Sequence, residues 1–180
     1  MTSKTALLLI DMQVDFGAPD GAMARRGADI AAAQAAVTRA ETLVAAARDA
    51  GVAVVFVRLL NGAENLCTEG THGAAFIGPQ PMPGEAIVSK SRFSAFARTG
   101  LADLLRARGI GTLVLAGLTT ECCVAATAWA AFEEGFRVVL AADACAAYAD
   151  DLHRHALKSL QLSGATGTNV AALAAAWEKI

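Results

Sequence analysis

TLVLAGLTTECCVAATAWAAFEEG (Thr112–Gly135) changes character in its middle. After Thr112 its next five residues are apolar and do not alternate with polar ones, the pattern of a strand buried on both faces. Glu121 to Glu134 suit a helix, and Gly135 supplies a C-terminal stop. A strand that passes through a tight turn into a helix is half of a βαβ unit. The rest of the chain repeats that alternation on either side.

Downstream, RVVLAAD (Arg137–Asp143) reads as a strand, and Asp150 or Asp151 opens a helix reaching about Leu162. The end, from GATGT to Ile180, suggests a weak last strand and a helix. Upstream, Thr99 can cap a helix carrying Leu101, Leu104 and Leu105 and ended by Gly109. AIVS (Ala86–Ser89) is a short strand and VAVVFVR (Val52–Arg58) a buried one. Leu59 to Glu85 holds most of the prolines and is too long for an ordinary connector, which marks it as functional. Ile30, Val37 and Val44, with Ala33, Ala40 and Ala47 between them, form one face of a long helix that Gly51 stops. TALLLI (Thr5–Ile10) is the first strand, followed by a loop with Gly17, Pro19, Gly21 and Gly27.

Strand and helix thus alternate, and the expectation is an α/β sandwich around a mostly parallel sheet. Such sheets bind ligands beyond the carboxyl ends of their strands. Five places qualify: Asp11, Arg58, Lys90, Gly117–Thr120 and Asp143. A carboxylate, an ammonium and the cysteine pair therefore converge on one rim from remote parts of the chain.

At 180 residues one domain, 1–180, is expected, large enough to bury a core without disulfide staples. The composition is 55% hydrophobic and 18% charged with a net charge of -2, which argues against disorder and gives no electrostatic reason to bind nucleic acid or an anionic membrane. No apolar run approaches the ~18 residues of a membrane span. The amino-terminal apolar stretch is cut short by Asp11 without a small-residue cleavage site, so it reads as a strand rather than a signal peptide, and a cytoplasmic protein is expected.

Cys67, Cys122, Cys123 and Cys145 do not form the spaced framework of a small secreted fold. An adjacent-pair disulfide between Cys122 and Cys123 needs a strained ring. Zinc wants four ligands, with cysteine pairs two to four residues apart, and neither the adjacent pair nor His72, His153 and His155 supplies that spacing. GLTTE lacks the Gly–Lys–Ser/Thr of a phosphate loop. Buried cysteine is most often core, which is the reading for Cys67 and Cys145. A cysteine in the first helical turn after a strand is different. Unpaired N–H groups favour its thiolate, an aspartate can take and return its proton, a lysine keeps that aspartate ionised, and backbone N–H groups can hold an oxyanion. Spacing alone does not choose between Cys122 and Cys123.

The chain resembles the isochorismatase-like cysteine hydrolase superfamily, which includes nicotinamidases and N-carbamoylsarcosine, biuret and ureidoacrylate hydrolases. The likeness runs through LLLIDMQVDF, GTHGAAF, VSKSRFSAF and LVLAGLTTECCVAATAWAAFEEGFRVVLAADAC. It implies a three-layer α/β/α sandwich with a five- or six-stranded, Rossmann-like sheet. It also implies Asp11 as general base and Lys90 as its partner. Laid on Gly117, Thr120 and Val124, the family pattern selects Cys123 as the nucleophile. Neighbouring helix residues project about 100° apart, so Cys122 is then expected to turn into the fold or toward a neighbour. The resemblance further implies a cis peptide at Leu118–Thr119 and an oxyanion hole from the N–H groups of Thr119 and Cys123. The loop RLLNGAENLCTEGTHG lacks the Asp-x-His pattern of metal-binding nicotinamidases, so neither metal nor cofactor is expected.

The activity implied is hydrolysis of a C–N bond in a small amide or ureide through a thioester. Gln13, Phe16, Arg58, Thr71, His72 and Phe93 are candidate pocket walls, equally compatible with loop packing. Relatives are usually oligomeric, which implies a homo-oligomer, dimer or tetramer. Two other readings are a non-catalytic binding module and a redox-active thiol protein using Cys122 and Cys123.

Overall fold

A computed structural model of the chain describes residues 4–62 and 66–179. In chain order the elements are β1 (Lys4–Ile10), α1 (Val14–Gly17), α2 (Ala22–Arg25), α3 (Ala31–Asp49), β2 (Ala53–Leu59), β3 (Ala86–Lys90), α4 (Leu101–Ala107), β4 (Ile110–Leu118), α5 (Ala125–Glu133), β5 (Arg137–Ala146), α6 (Asp150–Leu162), β6 (Thr166–Thr168) and α7 (Val170–Trp177). All six strands join one parallel sheet in the order β3-β2-β1-β4-β5-β6. The sequence left five or six strands open. The sixth is formed, and it pairs three residues of β5 with Thr166–Thr168.

The central strand explains the layering. Leu7 and Leu9 point into a core shared with Val37, Ala40 and Val44 of α3 and Leu173 and Trp177 of α7. Ala6, Leu8 and Ile10 point into the opposite core, with Leu105 of α4, Ala128 of α5 and Leu160 of α6. Alternate residues of one apolar run thus serve two helical layers, which is why the run shows no polar alternation. Burial of each large side chain there contributes about 1.5–3 kcal/mol.

Three local readings need correction. The loop after β1 contains two one-turn helices, α1 and α2. Gly100, not Thr99, is the cap residue of α4, although the Thr99 hydroxyl still accepts the Leu101 N–H at 3.3 Å. The helix expected from Glu121 begins instead as a π turn over Thr120–Val124 and becomes α-helical at Ala125. Such turns insert an extra residue and often mark functional positions.

The chain reverses its winding direction between β1 and β4, a topological switch point. Close approach of these two strands there requires Gly117. Its φ is 149°, and a Cβ would stand 2.1 Å from the Ile10 carbonyl oxygen. No helix among the described residues is long and apolar enough to cross a membrane.

Candidate active site

Asp11 follows β1 directly, with φ 52° and its N–H donated to the Val57 carbonyl at 2.9 Å. That left-handed turn sits at the carboxyl end of the central strand, and Asp11 is 0% exposed. Lys90 closes β3, two strands away, and is also buried. Cys123 enters from the π turn after β4. The Lys90 ammonium joins them: its Nζ lies 2.6 Å from Asp11 Oδ2, 3.4 Å from Cys123 Sγ and 3.1 Å from the Arg92 carbonyl oxygen. All three of its N–H donors are engaged. Asp11 Oδ1 is buried and has no hydrogen-bond partner among the described residues.

Burial pushes the Asp11 carboxyl above its ordinary value of 3.8, against the opposing pull of Lys90. The Cys123 thiol is pushed up too, by its contact with the Cys122 thiol, by burial and by the Asp11 charge. The same thiol–thiol contact lowers Cys122 to about 7, so it is Cys122 rather than Cys123 that the contact favours as thiolate, against the expectation for Cys123. Beside that contact, charge balance opposes a Cys123 thiolate. Carboxylate, ammonium and thiol together are neutral, and loss of the thiol proton to water would leave an uncompensated negative charge in a low-dielectric site. Transfer of that proton to Asp11 keeps the group neutral.

The Leu118–Thr119 peptide is cis. The Thr119 carbonyl accepts the N–H groups of Cys122 and Val124, the two residues flanking Cys123. Thr120, fully buried, pairs its hydroxyl with His153 Nδ1 at 2.8 Å, which ties the turn to α6. Cys122 does not turn away: it is half-buried and lines the same cavity as Cys123. Among the described residues no three His, Cys, Asp or Glu side chains are grouped to hold a metal ion.

That cavity has a volume of about 620 Å³. Of the six candidate wall residues, Phe16 and Phe93 line it. Gln13 does not. It is fully buried, donating from Nε2 to the carbonyls of Leu59 and Ala74 and accepting the Leu59 N–H, so it clamps the long loop to the rim. Arg58 donates to Ser89 Oγ on the edge strand and stands outside the cavity. Thr71 and His72 line a separate cavity beside α2, where His72 meets Asp20 at 2.9 Å. Asp143 holds the Val170 N–H and Arg39 on the α3 side.

Sequence reasoning missed Met23, Leu59, Asn61, Leu66, Ser91, Arg92, Glu121 and Tyr148 as cavity walls. Tyr148 had a signal: it lies just past the carboxyl end of β5 and is the chain's one tyrosine. Met23 and Leu66 had none, because they arrive from loops whose course depends on Gln13 and Asp15. Asp15 ties those loops by accepting the N–H groups of Ala22 and Cys67.

The chain matches an isochorismatase domain over residues 5–172. It is 30% identical over 207 residues to the ureidoacrylate amidohydrolase RutB of Methylobacterium radiotolerans, a match covering 97% of this chain and 80% of that protein. It is 35% identical over 153 residues to the maleamate amidohydrolase of Pseudomonas putida, across 76% of this chain and 70% of that one. An isochorismatase family protein from Desulfovibrio vulgaris superposes with a TM-score of 0.87 at 32% identity, covering 96% of this chain and 97% of that one. N-carbamoylsarcosine amidase from Thermoplasma acidophilum superposes with a TM-score of 0.79 at 28% identity, covering 93% and 96%.

Proposed function

Because this chain belongs to the isochorismatase family, we propose that it is a cysteine amidohydrolase acting on non-peptide C–N bonds. The observation that carries the reading is the Lys90 ammonium bridging Asp11 and Cys123 inside a buried, electrically neutral cluster. The relatives named above for ureidoacrylate, maleamate and N-carbamoylsarcosine support an amide or ureide as substrate.

In this mechanism Asp11 takes the Cys123 proton as sulfur bonds to the substrate carbonyl carbon. The carbonyl electrons move to oxygen, where the N–H groups of Thr119 and Cys123 stabilise the oxyanion. Collapse breaks the C–N bond, and the nitrogen leaves with the proton held by Asp11. Water then gives a proton to Asp11 and its oxygen to the thioester. The acid departs, and the sulfur recovers its proton. Lys90 remains charged throughout, so each step moves a proton within the cluster without adding net charge to the interior.

The unpartnered Oδ1 of Asp11 supports its role as proton acceptor. Residues 1–180 act as one hydrolase domain in this reading, cytoplasmic and assembled as a dimer or tetramer. Exposed Trp129 and Ile87 on the outer faces of α5 and β3 are suited to contact another copy. A redox reading has one supporting observation, the two thiols sharing a cavity. Ammonia release from a panel of small amides, ureides, biuret-like compounds and carbamoyl amino acids tests the proposal. Activity abolished by Cys123→Ala supports it. Reversible peroxide oxidation linking Cys122 and Cys123, with no ammonia from any compound, favours the redox reading instead.

A further inference from the structure

The cavity ending at the thiols is much larger than a bare amide requires. About 620 Å³ suits a ligand of many heavy atoms. Beside the polar Asn61, Ser91 and Arg92, much of its wall is apolar: Phe16, Met23, Leu59, Leu66, Phe93 and Tyr148. The Tyr148 hydroxyl is already used, donating to the Phe16 carbonyl at 2.8 Å, so its ring is what remains for a ligand. Phe93 is 67% exposed, a large apolar surface left in water beside the cavity unless something covers it.

The charges at this space are unsuited to a short acid. Asp11 and Lys90 are not among its walls; both are buried and paired with each other. Glu121 adds a carboxylate next to Cys122, accepts the Thr119 hydroxyl at 2.9 Å, and enters no ion pair among the described residues. A substrate carboxylate close to the scissile carbonyl would meet like charge. Among the described residues Arg92 is the cation lining the cavity, but it is exposed, where a carboxylate gains little by leaving water.

We propose, resting on the amidohydrolase reading, that the preferred substrates are uncharged amides or ureides carrying an apolar chain or ring on the carbonyl. This sets the chain apart from relatives named for ureidoacrylate and maleamate, which are acids. The small amide or ureide expected from the sequence is thereby narrowed to one whose acyl group fills the apolar wall.

The test is kcat/KM for ammonia release along the series acetamide to hexanamide, with maleamate as comparator. Burial of each methylene predicts a gain of roughly fourfold, hence more than about 100-fold across the series. Phe93→Ser, at an exposed position that folding does not need, reduces the gain per methylene. A readout independent of turnover is alkylation of Cys123 by 2-bromopropanamide, 2-bromohexanamide and 2-bromooctanamide, which carry the chain on the acyl side, in Cys122→Ser protein, each rate normalised to glutathione. Normalised rates that climb with chain length, and climb less in Phe93→Ser, support the proposal. Rates flat in chain length, or maleamate turned over better than hexanamide, overturn it. Climbing alkylation with no ammonia from any amide upholds the apolar selectivity and removes the hydrolase reading.

Discussion

Two carboxylates of this protein meet a nitrogen at similar distance and behave in opposite ways. Asp11 Oδ2 is 2.6 Å from Lys90 Nζ, and Asp20 Oδ2 is 2.9 Å from His72 Nε2. The Asp11 and Lys90 side chains are 0% exposed, whereas those of His72 and Asp20 are 71% and 66% exposed. The Asp11 carboxyl is raised from 3.8, because burial outweighs its partner. The Asp20 carboxyl is lowered from the same value, chiefly by its bond to His72, because water already solvates its charge. Contact distance therefore does not identify a reactive pair. Burial turns the first into a place where proton transfer has consequences, and exposure leaves the second a surface contact.

The sharpest way to break this contrast is at the sulfur. Cys123→Ala should lower kcat for ammonia release by at least about 10⁴-fold, the scale of removing a covalent nucleophile. His72→Ala should leave the same assay unchanged. Next comes the buried ion pair itself. Lys90→Met leaves Asp11 without its cation and should abolish activity while costing about 3–5 kcal/mol in urea unfolding. The Asp11→Asn/Lys90→Met double variant, which removes both charges, should recover part of that stability. No such recovery would mean that the pair is held by packing rather than by charge.

The pH profile sharpens the comparison further. Asp11 must be ionised to accept the thiol proton, and its folded value is raised. Activity should therefore fall as pH drops through a limb lying above 3.8, measured as kcat/KM against pH. A limb below 3.8 would show that Lys90 outweighs burial. Gln13→Ala tests a buried polar residue at the same rim that carries no charge. It leaves the backbone groups of Leu59 and Ala74 without their partner and should cost about 1–3 kcal/mol in unfolding. The smallest effect is expected at the exposed pair, where Asp20→Asn should not move the urea midpoint.

Gln13 and Phe16 also mark where sequence reading ran out. Both follow the first strand by a few residues, and both were assigned to the pocket wall. Phe16 lines the cavity, while Gln13 spends its whole amide on the backbone of Leu59 and Ala74. Nothing in the local sequence separates them, because Gln13's partners are 46 and 61 residues away. Arg58, Thr71 and His72 failed for the same reason. Arg58 lies within β2, which runs on to Leu59, and donates to Ser89; in the long loop Thr71 donates to the Thr68 carbonyl and His72 meets Asp20, and none of these partners is read from the sequence.

By itself the sequence determined the main strands and long helices, that the sheet is mostly parallel, and which three groups gather at strand ends. These follow from apolar periodicity, glycine stops and the rule placing ligands beyond carboxyl termini, all encoded within a few residues of each position. The fold decided what those groups feel. The Lys90 bridge, the raised Cys123 thiol, Cys122 beside it and the apolar cavity arise from side chains of five strand-terminal and loop segments meeting out of water. Desolvation is a property of everything packed around a residue, so no stretch of chain carries it alone.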